Sequence, residues 1–154
     1  MQTFIGDYQC KLDAKGRFLL PSAFRKLLNE DSENRCVLRK NLHDKCLDLY
    51  PIKEWERQIK MVRERINTFN KDHASFMRKF FHGTAEVQID GNGRVLIPKK
   101  FFEFADFKKN ITLAGLYDKI EIWDAETYEK PPLSDEDFSR LANEILGDNI
   151  NPKQ

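Results

Sequence analysis

Asp13-Ala-Lys-Gly-Arg17, running on through Phe18, Leu19 and Leu20 to Pro21, reads D-A-K-G-R-F-L-L-P. The same pattern returns as D-G-N-G-R-V-L-I-P from Asp90 through Arg94 to Pro98. Each copy has an acid, a short stretch of glycine and polar residues, an arginine, an apolar run and a proline. Aspartate and glycine favour a turn, with Gly16 and Gly93 suited to a positive φ just before the chain resumes as a strand. Proline has no N–H to give to a ladder, so Pro21 and Pro98 end those strands. Phe4 to Leu12, the turn, and Arg17 to Leu20 together read as a β-hairpin.

Working outward, the two copies are locked in register. Phe4, Gly6, Leu12, Asp13, Gly16, Arg17, Leu20, Pro21 and Phe24 match Phe81, Gly83, Ile89, Asp90, Gly93, Arg94, Ile97, Pro98 and Phe101 at one constant offset. After a shorter loop in the second copy, Leu47, Asp48, Leu49, Tyr50 and Trp55 match Ile120, Glu121, Ile122, Trp123 and Tyr128. The chain is thus an internal duplication. Two copies are too few for a solenoid, which needs at least ~3 repeats. Each half has four short strands and a helical turn or two, too little to bury a core alone, so the halves are expected to complete each other as a pseudo-dimer.

The chain around the turns reads as follows. Ser22 is the expected N-cap of a short helix carrying Phe24, Leu27 and Leu28, and the polar run Asn29 to Asn34 is the expected loop after it. Cys36 to Leu38 and Cys46 to Tyr50 read as strands. From Ile52 to Thr68 the spacing predicts a helix with Trp55, Ile59, Val62 and Ile66 on one stripe. His73 to His82 resumes a helix with Phe76, Phe80 and Phe81 on one side. The second half then gives strands over Gly83–Ile89, Arg94–Ile97, Ile111–Leu116 and Lys119–Trp123, and a helix over Lys99–Ala105. Asp124 is the expected cap of a last short helix through Tyr128. Beyond Pro131-Pro132, Ser134 is placed to cap a helix whose first turn carries Asp135, Glu136 and Asp137. Phe138, Leu141, Ile145 and Leu146 give it an apolar face, Gly147 stops it, and the last residues fray.

Composition narrows the function classes. The chain has 154 residues, 12 of them Phe, which suggests one domain or two closely packed small ones around an aromatic core. The net charge of +1 means that any nucleic-acid binding must come from local patches. No segment approaches the ~20 apolar residues of a membrane span, and no basic-then-apolar signal peptide opens the chain, so a cytoplasmic location is expected. Cys10, Cys36 and Cys46 form no C-x-x-C pair and read as buried free thiols. His43, His73 and His82 show neither zinc spacing nor a nucleophile–base pair, so neither metal nor cofactor is expected.

A D-x-x-G-R turn has a purely structural reading, in which the carboxylate accepts backbone N–H bonds and pairs with the arginine. Three features favour a functional one. The motif occurs twice in the same place. Cations surround each copy in sequence: Lys11, Lys15, Arg17, Arg25 and Lys26 near the first, Arg94, Lys99 and Lys100 near the second. Glycines (Gly16, Gly91 and Gly93) allow close backbone approach to a ligand. Paired cationic turns suit duplex DNA, and a planar guanidinium can grip a phosphate or a guanine edge bidentately. Asp13 and Asp90 would repel phosphates, so they read as residues that orient the arginines.

From Phe4 to Tyr128 the chain resembles MraZ, a family of bacterial transcriptional regulators with two SpoVT-AbrB-type domains in tandem. D-A-K-G-R-F-L-L-P, C-L-D-L-Y-P-I-K-E-W-E at Cys46–Glu56, D-G-N-G-R-V-L-I-P, and I-E-I-W at Ile120–Trp123 carry the resemblance. It implies an α+β fold: a duplicated AbrB-like swapped-hairpin β-barrel formed by two pseudo-symmetric halves, with bridging helices and a short C-terminal helical tail. The corresponding boundaries are repeats at 7–54 and 83–126, bridging helices at 55–82 and a tail at 131–154. The resemblance further implies a nucleoid-associated ring oligomer that binds repeated boxes of double-stranded DNA upstream of a division and cell-wall gene cluster, its own promoter included. Arg17 and, by the second motif, Arg94 are the implied DNA-binding residues. Lys15, Arg25, Lys99 and Lys100 join them on charge and proximity alone, with a solvated surface role as the competing reading. The positive bridging helices offer a second DNA surface as one reading, and a solvated face opposite an apolar stripe as the favoured one.

Two other classes remain in view. A ring-forming adaptor could recruit a protein partner through the acidic tail. An enzyme is disfavoured, because each aspartate sits beside an arginine that would keep it ionised, which is wrong for a general acid, and Gly91–Gly93 lacks the further glycine and long helix of a dinucleotide site.

Overall fold

The computed structural model describes residues 3–130 and 133–147, with Asp31 described by its backbone alone. The expected break at Pro131-Pro132 and the expected frayed end from Asp148 lie outside the described residues. The first half runs β1 (Phe4–Lys11), β2 (Arg17–Leu19), α1 (Ser22–Ser32), β3 (Arg35–Lys40) and β4 (Leu47–Pro51). Two helices follow, α2 (Ile52–Arg65) and α3 (Lys71–His82). The second half repeats the order as β5 (Thr84–Gln88), β6 (Arg94–Leu96), α4 (Lys100–Ala105), β7 (Asn110–Tyr117) and β8 (Ile120–Asp124). Helices α5 (Ala125–Tyr128) and α6 (Asp135–Ala142) close the chain, α6 running into a wider π-type turn at Asn143–Gly147.

The strand order shows the duplication directly. A six-stranded antiparallel sheet runs β1-β7-β8-β4-β3-β5, and a separate ribbon pairs β2 with β6. Exchanging each strand for its repeat partner (β1 with β5, β2 with β6, β3 with β7, β4 with β8) returns the same order reversed. A pseudo-two-fold axis therefore passes between β4 and β8 and between β2 and β6. Each half lends its first strand to the other: β1 pairs along its whole length with β7, and β5 pairs with β3.

That exchange corrects the hairpin expectation. The turn after β1 closes as expected, with Asp13 N donating to Arg17 O at 2.8 Å. Its two arms then part, β1 to β7 and β2 to β6. A period-two pattern says which residues face inward but not which strand pairs with which. The swapped pairing implied by the family resemblance is present. Among the described residues the ladders do not close into a barrel, since β1 and β5 remain edges. The ribbon strands are three residues each, and the proline segments that follow stop them before they can bridge those edges.

The core lies between ribbon, sheet and the two short helices, and is aromatic as expected. Phe4, Phe18, Phe24 and Phe101 are fully buried with Leu28, Leu38, Leu47, Ile97, Ile111 and Leu113. Phe24 packs in T-shaped geometry against Phe4 and Tyr8, at centroid distances of 5.5 and 5.0 Å. Burying each such ring contributes about 1.5–3 kcal/mol, and these residues come from both halves, so neither half has a core of its own.

Three local expectations need correction. α1 continues through the expected loop to Ser32, because Leu28 and Ser32, one turn apart, are both buried. It ends instead on left-handed Glu33 (φ 51°) and Asn34 (φ 63°). Ser22 is the first helical residue rather than the cap, and Pro21 precedes the helix with no side-chain cap bond. The duplication also fades at its leading edge: Phe4 is buried in β1, but its match Phe81 lies in the last turn of α3 and is exposed. Asp124 and Ser134 cap as expected, accepting from the backbone N–H of Glu126 and Asp137.

The bridging helices pack through few residues. The α2 stripe is only half-covered, and Phe80 is the one buried residue of α3. Trp55 stacks on Phe80 at 5.9 Å and meets Phe81 edge-on at 6.1 Å. Arg39 of β3 lies over this cluster, 4.9 Å from the Phe80 ring and 5.2 Å from the Tyr50 ring, and so fastens α2 and α3 to the sheet.

Candidate nucleic-acid interface

The twin turns are built alike. Asp13 Oδ1 accepts from the backbone N–H of Lys15 and of Arg17, each at 2.9 Å. Asp90 Oδ1 accepts from Asn92 and Arg94, again at 2.9 Å. The second carboxylate oxygen takes the arginine itself: Arg17 Nε donates to Asp13 at 2.8 Å, and Arg94 Nε to Asp90 at 3.2 Å. Each aspartate thus closes its turn and fixes its arginine by the inner nitrogen. Among the described residues no hydrogen bond engages the outer nitrogens Nη1 and Nη2 of either arginine.

Both carboxyls titrate below the usual aspartate range. The largest cause is the backbone N–H of the following arginine, with the guanidinium adding to it. A depressed folded pKa means that the order these acids supply is fully present above the ordinary value of about 3.9 and is lost only as pH falls through the lower folded value. Titration of these two groups should therefore leave DNA binding flat between about pH 5 and pH 8. A fluorescence-anisotropy titration across that range checks this, and a midpoint inside it would contradict the assignment.

The turn glycines differ in kind. Gly93 has φ +80°, and a Cβ there would lie 2.6 Å from Arg25 Nη1. Arg25 sits at the mobile end of a long side chain and can move aside, so backbone strain dominates. Gly93→Ala should cost about 1–2 kcal/mol of stability. Gly91→Ala meets nothing within 4 Å and should be near neutral. Denaturant unfolding of the pair checks this, and equal losses would contradict it.

The ribbon register puts both arginines on one face. Arg17 pairs with Leu96, Phe18 with Val95, and Leu19 with Arg94. Phe18 and Val95 point into the core, so Arg17, Leu19, Arg94 and Leu96 share the outer face. The two arginines are diagonal neighbours, roughly 7–8 Å apart on such a ladder. Leu19 and Leu96 are 59% and 51% exposed, so an apolar pair stands between the guanidinium groups. These leucines are not among the residues expected from the sequence, although the alternation of R-F-L and R-V-L carries the signal.

Chain exchange also reassigns the neighbouring cations. Arg25 Nη2 reaches Gly91 O at 3.4 Å, so α1 of the first half lies across the second turn. Its repeat counterpart Phe102, on α4, lies over Gly16 of the first turn at 3.0 Å from a Cβ position. Arg25 therefore belongs with Arg94 rather than Arg17, and α4, with Lys99 at its start, lies over the first turn. Lys15 stands exposed at the first tip, where the second has Asn92. Lys100 is drawn away, its Nζ donating to Thr84 O at 3.3 Å.

A second polar cluster sits on the pseudo-two-fold axis. Asp48 faces its own counterpart Glu121 across β4 and β8. Like charges opposite each other destabilise a sheet, and here cations and an amide separate them. Lys119 Nζ lies 2.9 Å from Asp48 and 3.5 Å from Glu121. Asn41 Nδ2 bridges the same pair at 3.0 and 3.3 Å, and Arg39 Nη2 adds contacts to Asp48 at 3.3 Å and Tyr50 at 2.8 Å. Cys46, Asp48 and Glu121 offer ligand atoms within 4.8 Å of one another. The Lys119 ammonium already neutralises that spot, and burial pushes the Cys46 thiol well up, away from the thiolate a metal needs. Cys36 is also held protonated by burial, at about 12.

Comparison with known proteins now decides the family. The family model described as "MraZ protein" matches residues 3–79 and again residues 80–145, one match for each half of the swapped structure. The chain belongs to the MraZ family. Among MraZ relatives, the transcriptional regulator of Phocaeicola vulgatus is 40% identical over 148 residues, covering 96% of each chain. That of Flavobacterium psychrophilum is 40% identical over 153 residues, 98% of this chain and 96% of its own. That of Bacteroides thetaiotaomicron is 38% identical over 148 residues, 96% of this chain and 95% of its own. MraZ relatives thus carry the name of transcriptional regulators along nearly the whole length, the α6 segment included. Among the described residues no helix is long and apolar enough to cross a membrane.

Proposed function

We propose that this MraZ chain is a sequence-specific DNA-binding transcriptional regulator that presents the β2–β6 ribbon to the duplex. The observation that carries this reading is the ribbon's outer face. Two arginines related by the pseudo-two-fold axis are each gripped at Nε by an aspartate, and their outer nitrogens are left for a ligand. An arginine held this way loses little freedom on binding and can meet a guanine edge or a phosphate with two parallel bonds. The leucines between suit apolar contact with thymine methyl groups.

The other cations then fall into two kinds. Lys15 and Arg25 stand at the tips of the first and second turn and position the protein on phosphates. Lys99 does so from the start of α4. Lys100 contributes least, since its ammonium is engaged by Thr84. Phosphate contacts fix register without reading sequence. Lys15→Ala should weaken binding uniformly across DNA sequences and lower the salt slope by about 1. Binding measured on specific and scrambled duplexes over a salt series checks this, and a loss confined to the specific duplex would contradict it.

One small cationic face on a chain of net charge +1 binds weakly. A ring of subunits engaging successive boxes gains by effective concentration, about 10²–10⁴-fold as for linked sites. In this reading the ring works at the nucleoid, in the cytoplasm, on repeated boxes upstream of the division and cell-wall gene cluster and of its own gene. The adaptor reading draws on α6, whose acids and exposed apolar face suit a protein partner better than DNA. A gel shift on the upstream region separates the two. A regulator retards that DNA and loses affinity steeply as salt rises, whereas a pure adaptor leaves it unshifted.

A further inference from the structure

Asp72, Ser75, Phe76 and Lys79 fall three or four residues apart, which puts them on one side of α3. That side is left open. Phe76 keeps 47% of its surface exposed, although its ring stacks on buried Phe80 at 5.7 Å. Across from it stand the end of β3 and Phe104 of α4, and together these elements enclose a cavity of about 560 Å³. Cavities that hold small molecules run from about 300 to 1,000 Å³.

The lining is aromatic, with an excess of positive charge. Phe76, Phe80 and Phe104 supply the apolar wall, and Lys40 and Lys79 stand against a single acid, Asp72. Gly83 lets the Lys40 stem lie flat on the backbone, since a Cβ there would stand 3.2 Å from that stem. The Lys40 ammonium ends 5.1 Å from the centre of the Phe104 ring. Among the described residues neither lysine has an ion-pair partner. Arg39 also lines the cavity, while only 7% exposed. Its Nη2 is taken by Asp48 and Tyr50, whereas its Nε is buried with no hydrogen-bond partner among the described residues. Asp48 offsets the Arg39 charge, so the excess rests on the two lysines, and the orphaned Nε adds to the pull on an acceptor.

We propose that this cavity binds a small aromatic carboxylate, with its rings among Phe76, Phe80 and Phe104 and its carboxylate held by Lys40 and Lys79. Aromatic rings pair at centroid separations of about 4.5–7 Å, so a flat bicyclic body suits a wall of three phenyl rings. A carboxylate between two ammonium groups gains charge-assisted bonds, roughly twice as strong as neutral ones. A peptide strand is a poorer occupant, because the Lys40 N–H is already bonded to Gly83 O at 2.9 Å and offers no free ladder edge. The cavity shares no lining residue with the β2–β6 ribbon, and the inference does not rest on DNA binding.

Isothermal titration of the full-length chain with 2-naphthoate tests the site. At the efficiency usual for drug-sized ligands, its roughly 13 heavy atoms imply a dissociation constant of about 1 mM or tighter. The neutral 2-naphthamide should bind at least about ten-fold more weakly, having lost the charge-assisted bonds. Lys40→Gln with Lys79→Glu should weaken the acid to the level of the amide and leave the amide unchanged. Phe76→Ala should weaken acid and amide alike. Circular dichroism controls for folding, and Lys79→Glu alone, at an exposed helix position, serves as the charge variant if the double substitution unfolds the chain. Arg17→Ala/Arg94→Ala should bind naphthoate like the parent. Four results overturn the proposal: no binding by the parent at millimolar naphthoate, as when a second copy of the chain fills the cavity; equal binding of acid and amide; cavity variants that bind like the parent; or loss of the acid in the ribbon variant, which would put the anion on the ribbon.

Discussion

Combined Arg17→Ala and Arg94→Ala should lower affinity for cognate promoter DNA at least about 30-fold. Each bidentate guanidinium contact is worth about 1–3 kcal/mol of discrimination, so losing both at the low end removes about 2 kcal/mol, with tenfold per 1.4 kcal/mol. The arginines lie on one ribbon face, so in the proposed reading they meet the same duplex and the double substitution tests the face as a unit. The fold should survive, because both side chains lie on the outer face and their turns keep the Asp13 and Asp90 bonds to the backbone. Anisotropy titration of the parent and the double variant checks this, with circular dichroism as the control on folding. The single variants say how the work is shared. Turn two has Arg25 across it and turn one has Lys15, so neither single loss should abolish binding. Equal affinity of double variant and parent would remove the ribbon from the DNA interface.

Asp48→Ala should cost about 3–5 kcal/mol of folding stability, the range for removing one partner from a buried charge pair. Asp48 is 0% exposed and accepts from Arg39, Asn41 and Lys119. Deleting it leaves a buried guanidinium and a mostly buried ammonium without their shared anion. The loss falls on the axis where the halves meet through β4 and β8, so it should weaken the swapped arrangement as a whole. At this chain length each kcal/mol is about 2–4 °C, so the melting temperature should fall by roughly 10 °C. Glu121→Gln at the mostly buried counterpart should cost less, because glutamine keeps an acceptor oxygen there and leaves the Asp48 anion in place. Urea unfolding of both variants checks the contrast. A loss under about 1 kcal/mol for Asp48→Ala would mean that the axial cluster contributes little to stability.

How far these features could be read beforehand follows from the range of the forces involved. Turns, caps and strand faces depend on neighbours a few residues away. The Asp13 and Asp90 turns, the Asp124 and Ser134 caps and the α2 and α3 helices therefore appear where the residues place them. Strand partners depend on the whole chain. The first hairpin departs from its local pattern for that reason: its turn is local, but its arms are claimed by β6 and β7. The same exchange moves Arg25 from the first turn to the second, which no sequence distance reveals. The length of α1 depended on a tertiary contact, the burial of Leu28 and Ser32, which carried a polar segment into the helix. The axial cluster joins Asp48 to Lys119 and Glu121, far apart in sequence and adjacent only once β4 meets β8.

Footprinting on the DNA upstream of the chain's own gene, over a salt series, tests the DNA-reading role most directly. Protection should appear as evenly repeated short boxes and fade steeply between about 50 and 200 mM salt, the behaviour of an interface that neutralises several phosphates. The Arg17→Ala/Arg94→Ala variant should lose those boxes at concentrations where the parent protects them. Absence of protection by the parent, or boxes that the double variant protects equally well, would contradict the assignment of the ribbon as the surface that reads DNA.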